Sequence, residues 1–308
     1  MPLAVLLRDI ENRLRRAGIE TPDHDARMLV SESLGIESSD IRMAEILNTT
    51  LAEALHRGTH EETGLQRSSD LGILAEKVSR RERREPLQHI LGHTWFRYID
   101  VQVGNGVFIP RPETETVVQA GIDFLRQSGM AAPRIVDLCA GSGAIGLSLC
   151  KEIPEAQVWA VEASPDAGIW TARNRDRLIA AGDISPTRYQ ILMADATDDA
   201  TLHELDGSID LVISNPPYIP ETEVPEQPEV LNWDPAMALY GGSADGLRIP
   251  DAIIHRAVSL LRPGGALVME HDISQGSPLR EAAWKVGFAH ALTGDDLTGR
   301  PRYLLASV

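Results

Sequence analysis

An α/β sheet of Rossmann type, preceded by a separate all-helical segment, is the fold this sequence predicts, and three observations predict it. Strand-length apolar runs alternate with helical patterns from residue 134 onward, the order that builds a mostly parallel sheet. A glycine turn, Gly141-Ser142-Gly143-Ala144-Ile145-Gly146, directly follows the first of those runs. Residues 1–84 show helical periodicity and no alternating run of strand length.

In the helical segment, Leu3, Leu6, Leu7, Ile10 and Leu14 recur at helical spacing, and Gly18 is placed as a stop. Thr21-Pro22 reads as an N-cap followed by proline at the first helical position, with Asp23 and Asp25 where the macrodipole favours anions. Further helical patterns run through 43–47, 51–57 and 71–84, so residues 1–85 form a small bundle. His56 and His60 stand four apart, a spacing that suits a metal. Gly58 between them weakens the helix and no third ligand is near, which makes a solvated pair the expectation. The run Arg80-Arg81-Glu82-Arg83-Arg84 sits at a helix end, where arginine is electrostatically favoured, and also has the charge of a docking patch.

Pro86 is expected to end the helical region. From 87 to 108 the texture alternates, with Trp95-Phe96 and then Ile99, Val101 and Val103, which predicts a β-hairpin linker over 86–110. Two prolines straddle an arginine in Ile109-Pro110-Arg111-Pro112-Glu113-Thr114-Glu115 and make a rigid corner. Glu113 and Glu115 then open a helix that Val117, Val118, Ile122 and Leu125 continue.

Residues 111–308 form the sheet domain. The strand 135–138 leads into the glycine turn, and the strand 158–161 ends in Glu162, 21 residues after Gly141. Glycines permit close backbone approach and the carboxylate suits ribose hydroxyls, so this is a nucleotide fingerprint that does not by itself choose among adenosyl cofactors. Ile191-Leu192-Met193 supplies a third strand, with Asp195 at its end as an acceptor for an adenine amino group or as a helix N-cap. Residues 209–213 are the fourth. A turn over 261–265 precedes the strand 266–270, and 288–292 with 303–308 finish the sheet.

At the end of the fourth strand stands Ser214-Asn215-Pro216-Pro217-Tyr218. Proline cannot donate to a ladder and pushes the residue before it into extended geometry, so Asn215 is held at a strand's carboxyl end, where open α/β sheets bind ligands. The Asn215 side-chain carbonyl and the Pro216 backbone carbonyl are two acceptors on one corner. They can grip a planar NH2 group by both hydrogens while Tyr218 covers its π-face.

With 29 basic against 45 acidic side chains, the net charge of −16 opposes binding to a phosphate backbone. Arg8, Asp9 and Glu11 interrupt the apolar start before a signal-peptide core forms, and no apolar run approaches the length of a membrane span. Cys139 and Cys150 are too few for a disulfide framework or a cysteine-based zinc site, so a reducing cytoplasm is the default.

The order of glycine turn, acid, acid and Asn-Pro-Pro-Tyr resembles S-adenosylmethionine-dependent amino-methyltransferases, whose fold is a seven-stranded sheet with an antiparallel last pair. The segments Pro86-Leu87-Gln88-His89-Ile90-Leu91-Gly92, 109–115, 215–220 and Gly241-Gly242-Ser243-Ala244-Asp245-Gly246-Leu247 together resemble the HemK/PrmC protein-glutamine methyltransferases across nearly the whole chain. The resemblance implies S-adenosyl-L-methionine as cofactor and, as substrate, the Gly-Gly-Gln glutamine of class I peptide chain release factors. No metal, nucleic-acid or membrane partner is implied, and a monomer is expected. Cys139, Ala140, Gly141, Ser142 and Gly143 would wrap the methionine part, Glu162 the ribose, and Asp195 and Ala196 the adenine. Asn215, Pro216, Pro217 and Tyr218 would hold the glutamine amide, with Asn215 also near the cofactor. Ala196 departs from the bulky residue common in the family. The rival activity is methylation of an exocyclic amine of adenine or guanine in nucleic acid, which uses the same corner; an NAD oxidoreductase would share only the glycines.

Overall fold

Apolar residues spaced by three and four place one face of each early helix in a common core. The computed structural model describes residues 1–57 and 64–308. The helices α1 (Leu3–Arg16), α2 (Pro22–Leu34), α3 (Ser38–Leu47), α4 (Leu51–Arg57), α5 (Gly64–Glu82) and α6 (Leu87–Leu91) follow one another. Leu3, Leu7, Ile10 and Leu14 of α1 are buried with Leu29 and Val30 of α2, Ile41 of α3 and Val78 of α5. The helical region extends beyond Pro86. That proline takes the N-cap position of α6, and Leu87 and Ile90 join the same core. The histidine pair at 56 and 60 lies outside the residues whose side chains are described.

Two compact units result. One comprises residues 1–92 with 227–233, and the other residues 93–226 with 234–308. Within the first, α10 (Pro228–Trp233) is tied by Glu229, whose carboxylate accepts from Arg81 at 2.8 Å and Arg84 at 2.6 Å. Arg81 also binds Asp25 at 2.7 Å, and Arg80 pairs with Glu85. Three of the four arginines in the basic run are therefore internal fasteners.

The second unit opens with the hairpin of β1 (His93–Phe96) and β2 (Ile99–Gln102), antiparallel, with Arg97 left-handed at its turn. Phe96, Ile99 and Val101 are buried in the sheet unit's core, so the hairpin is part of that unit. There follow α7 (Thr114–Gln127), β3 (Arg134–Leu138), α8 (Ala144–Glu152), β4 (Gln157–Glu162), α9 (Pro165–Ala180), β5 (Tyr189–Met193) and β6 (Ile209–Ser214). After α10 come α11 (Ala236–Leu239), α12 (Arg248–Leu260), β7 (Leu261–Glu270), α13 (Gly276–Val286), β8 (His290–Asp295) and β9 (Pro301–Ser307).

The seven-stranded sheet has the order β5-β4-β3-β6-β7-β9-β8. β9 runs antiparallel to both β7 and β8, and the other neighbours are parallel. This is the class I methyltransferase architecture. The expected turn at 261–265 is absorbed into β7, because Leu261 already pairs with Ile209 before a register shift brings Ala266 opposite Leu211.

Successive strand residues point to opposite faces, and both faces are covered. Ile135, Leu211 and Ile213 pack with α7, α8 and α9, while Val136, Leu138 and Val212 pack with α12 and α13. The central strands are therefore apolar on both faces for most of their length, with Asp137 of β3 and Asp210 of β6 as buried exceptions.

Candidate active site

β3 and β6 are neighbours in register, with Leu138 opposite Ser214. The residues just beyond them, Cys139 and Asn215, therefore start two loops side by side at one sheet edge. Ser214 Oγ fastens the edge by donating to the Leu138 carbonyl at 2.7 Å.

The loop after β3 turns sharply. Cys139, Gly141 and Gly143 all have positive φ, 65°, 59° and 83°. A side chain on Gly143 would meet Thr171, the Tyr189 hydroxyl and Leu147 at 3.0–3.1 Å, so the position is closed to anything larger. Glu162, at the end of β4 and 8% exposed, accepts the Gly141 N–H through Oε2 and the Ser164 N–H through Oε1, each at 2.7 Å. Thr171 of α9 donates to the Gly141 carbonyl at 2.6 Å, and Asn174 donates to the Ser142 carbonyl at 2.9 Å. Nothing in the sequence marks Thr171 or Asn174, because their partners are backbone atoms some thirty residues away.

Two buried acids colour this region. Asp137 accepts the Gly146 N–H at 2.9 Å, and burial pushes its carboxyl up to about 7. Burial, then the charge of Glu162, pushes the Cys139 thiol far above its ordinary range, so it stays protonated and is no nucleophile. Ala140 and Ser142 are buried beside it. Asp195 is exposed; its Oδ1 accepts from the Thr197 N–H at 2.8 Å and hydroxyl at 2.7 Å. That closes a local turn where a helix N-cap was the alternative. Ala196 is buried among Leu202, Leu205 and their neighbours.

The corner after β6 is held by residues far away in sequence. Asn215 is half-buried, and its Nδ2 donates to Thr114 Oγ1 of α7 at 3.3 Å. The Tyr218 hydroxyl donates to Glu270 Oε1, at the end of β7, at 3.1 Å. Its N–H donates to the Leu239 carbonyl at 3.1 Å and its carbonyl accepts from Gln275 Nε2 at 2.8 Å. Pro216 is buried and Pro217 half-buried. Gly246 presses against the same strap: a Cβ there would lie 2.1 Å from the Tyr218 carbonyl, and its φ is 72°. The 241–247 segment thus exists to let two backbones touch.

Burial, and after it the charge of Glu270, drives the Tyr218 hydroxyl well above its usual pKa, so it is a donor at any physiological pH. Burial likewise raises Glu270, opposed first by the Thr114 hydroxyl, then by Arg302 and Tyr218. Nearby, Arg111 stacks over Phe108 at 4.8 Å and pairs with Asp234 at 2.6 Å. Among the described residues there is no cluster of His, Cys, Asp and Glu fit for a metal, and no helix is long and apolar enough to cross a membrane. Thr114, Glu270 and Gln275 were given no role by the sequence; only Thr114 lay in a segment already singled out.

Comparison with known proteins matches residues 115–227 to the methyltransferase small domain family and residues 6–57 to the PrmC N-terminal domain family. The chain is similar, at 52% identity over 306 residues and 99% of each chain, to a release factor glutamine methyltransferase of Bifidobacterium longum. It is 40% identical over 299 residues to the enzyme of that name from Streptomyces coelicolor, covering 96% of this chain and 94% of that one. Among solved structures, the hMettl16 catalytic domain matches 72% of this chain and 80% of its own length, with a TM-score of 0.55 and 16% identity, a likeness of fold.

Proposed function

Since the chain belongs to the release factor glutamine methyltransferase family, we propose that it methylates the side-chain amide nitrogen of the Gly-Gly-Gln glutamine in class I peptide chain release factors, acting as a cytoplasmic monomer in support of translation termination. The observation that supports this reading is the pairing of Leu138 with Ser214, which sets the glycine turn beside the Asn-Pro-Pro-Tyr corner.

The residues fit S-adenosylmethionine. Gly141 and Gly143, at φ 59° and 83°, turn the chain tightly into the N-terminus of α8, whose dipole suits the cofactor's carboxylate, with Cys139, Ala140 and Ser142 completing the turn. Each Glu162 oxygen accepts one N–H and keeps further lone-pair capacity for ribose hydroxyls. Asp195 and Ala196 stand at the end of β5 for the adenine. Bound there, the cofactor supplies an electrophilic sulfonium methyl.

The protein's task is to make an amide nitrogen, whose lone pair is delocalised, act as a nucleophile. Asn215 Oδ1 and the Pro216 carbonyl accept its two N–H groups and fix its plane, so the lone pair faces the methyl carbon. Pro217 stiffens the corner, and Tyr218 covers the amide. Held this way, the amide nitrogen would take the methyl group and lose one N–H proton to water, leaving an N-methyl amide and the cofactor as a neutral thioether. No strong base is required, and positioning with preorganised dipoles supplies most of the acceleration.

Residues 1–85 are assigned, in the same proposal, to recognition of the protein substrate. Met43, Ile46 and Leu47 on α3 are exposed apolar side chains and a first place to test it, since the basic run is internally paired.

The test is methyl-labelled S-adenosylmethionine with a release factor and with its Gln→Glu variant in the Gly-Gly-Gln loop. Label on the first alone supports the reading. Label on both, or on nucleic acid in place of the factor, overturns it.

A further inference from the structure

An asparagine side chain has nearly the same shape either way round, but only one orientation accepts from a substrate NH2. The other would set donor against donor. Whatever fixes the orientation of Asn215 therefore determines whether the corner works.

The Asn215 Nδ2 atom donates to Thr114 Oγ1. Thr114 is the first residue of α7 and only 3% exposed, so its hydroxyl has no water to turn to, and it has a single proton to give. Beside it lies Glu270, 2% exposed, whose Oε1 is taken by Tyr218 while Oε2 is buried without a direct hydrogen bond. A carboxylate can only accept. A hydroxyl next to it turns its proton that way, and the Thr114 hydroxyl indeed works against the upward push of burial on Glu270. With its proton drawn toward that acid, Thr114 offers Asn215 a lone pair, the arrangement that the contact from Asn215 Nδ2 to Thr114 Oγ1 shows. Asn215 answers with its NH2, and its carbonyl is left for the substrate.

We infer that Thr114 and Glu270 are positioning residues that fix the side-chain amide of Asn215 with its carbonyl toward the nitrogen being methylated. The inference rests on the proposed reaction. It assigns a purpose to Thr114 within the 109–115 segment, to the acid at the end of β7, and to the burial of both. It also explains why Tyr218 spends its hydroxyl on Glu270: the bond helps keep that carboxylate ionised, hence acceptor-only.

The experiment is single-turnover methyl transfer to a release factor at saturating cofactor, with cofactor affinity and thermal midpoint measured alongside. Thr114→Val is close in shape and lacks the hydroxyl. It should slow transfer about three- to tenfold, on the order of one neutral hydrogen bond, with little change in affinity or midpoint. Thr114→Ser should restore the rate. Glu270→Gln should slow transfer at least as much, because an amide can donate to Thr114 and so release the threonine proton toward the Asn215 carbonyl. In an Asn215→Asp background both oxygens accept and there is no orientation to fix, so adding Thr114→Val should cost nothing more. A full rate in Thr114→Val, or the same loss in both backgrounds, overturns the inference. Should Thr114→Val not fold, Glu270→Gln in the two backgrounds decides the matter by the same comparison. A wild type that leaves glutamine unmethylated overturns the proposed reaction and this inference with it, whereas an active wild type matched by its Thr114 variant overturns this inference alone.

Discussion

The glycine turn after β3 and the Asn-Pro-Pro-Tyr corner after β6 leave the same sheet edge, yet they are braced by different parts of the chain. The turn is held by the next unit along: Glu162 at the end of β4 takes the Gly141 N–H, and Thr171 and Asn174 of α9 take the carbonyls. The corner is held by Thr114, 101 positions before Asn215, and by Glu270 and Gln275, 52 and 57 positions after Tyr218. A cofactor cradle can thus be built locally and reused. A substrate corner needs the assembled sheet, since its supports meet only when α7, β7 and α13 have all docked.

If that division is right, damage to each site should stay there. The largest effect belongs to Asn215→Ala. Losing one preorganised polar contact to the transition state costs about 2.7–4 kcal/mol, roughly a hundred- to a thousandfold in kcat. Cofactor affinity, read by calorimetric titration, should hardly move. A large loss of affinity would join the two sites into one.

Next is a pH effect confined to the cradle. Asp137 is fully buried, and its pKa rises from an ordinary 3.8 to about 7. Between those values the folded protein holds a proton that the unfolded chain has released. Stability therefore falls as pH rises through that window, by up to about 1.4 kcal/mol per pH unit, and levels off above the folded pKa. Asp137→Asn still accepts the Gly146 N–H but cannot titrate. Its stability relative to wild type should climb from about pH 4 to about pH 7 in urea unfolding and then level off. A constant difference would mean that Asp137 is ionised throughout.

Glu162→Ala is the reciprocal of the Asn215 change. Charge-assisted hydrogen bonds contribute about 1.5–3 kcal/mol each, so cofactor affinity should drop at least roughly tenfold. Here the loop also loses its hold on the Gly141 and Ser164 N–H groups. Transfer at saturating cofactor should recover most of its rate. Unchanged affinity, or tighter binding of NAD, would show that the cradle serves another nucleotide.

The same division explains what could be read from the chain. Gly141, Gly143 and the acid 21 positions on were legible because the turn's geometry is dictated by close neighbours. Asn215 was legible because two prolines constrain the backbone before any tertiary contact forms. Thr114, Glu270, Gln275 and Asn174 were not, since a side chain's partner across thirty or more positions leaves no local pattern. The helical unit erred in the same way. Pro86 has the look of a stop and becomes a cap because Leu87 and Ile90 find a core, and Arg81 and Arg84 look like part of a surface patch until Asp25 and Glu229 arrive from elsewhere.

Tyr218→Phe should give the smallest effect on rate and the finest resolution. It keeps the ring that covers the amide and removes only the bond to Glu270 Oε1. Glu270 would then be buried with one acceptor fewer satisfied, which costs about 1–3 kcal/mol of stability. Loss of that donor would also raise the carboxyl's pKa further. Because its folded pKa is already raised, that part of the destabilisation should appear as pH rises past the wild type's folded value toward the variant's and vanish at acid pH. Asn215 keeps its bond to Thr114, so single-turnover transfer near neutral pH should fall about threefold or less, within one neutral hydrogen bond. If Tyr218→Phe instead slows transfer as severely as Asn215→Ala, its hydroxyl must leave Glu270 and reach the reacting nitrogen when substrate binds. The corner would then be remade by its substrate, and the contrast with the preformed glycine turn would become one of timing as well as of bracing.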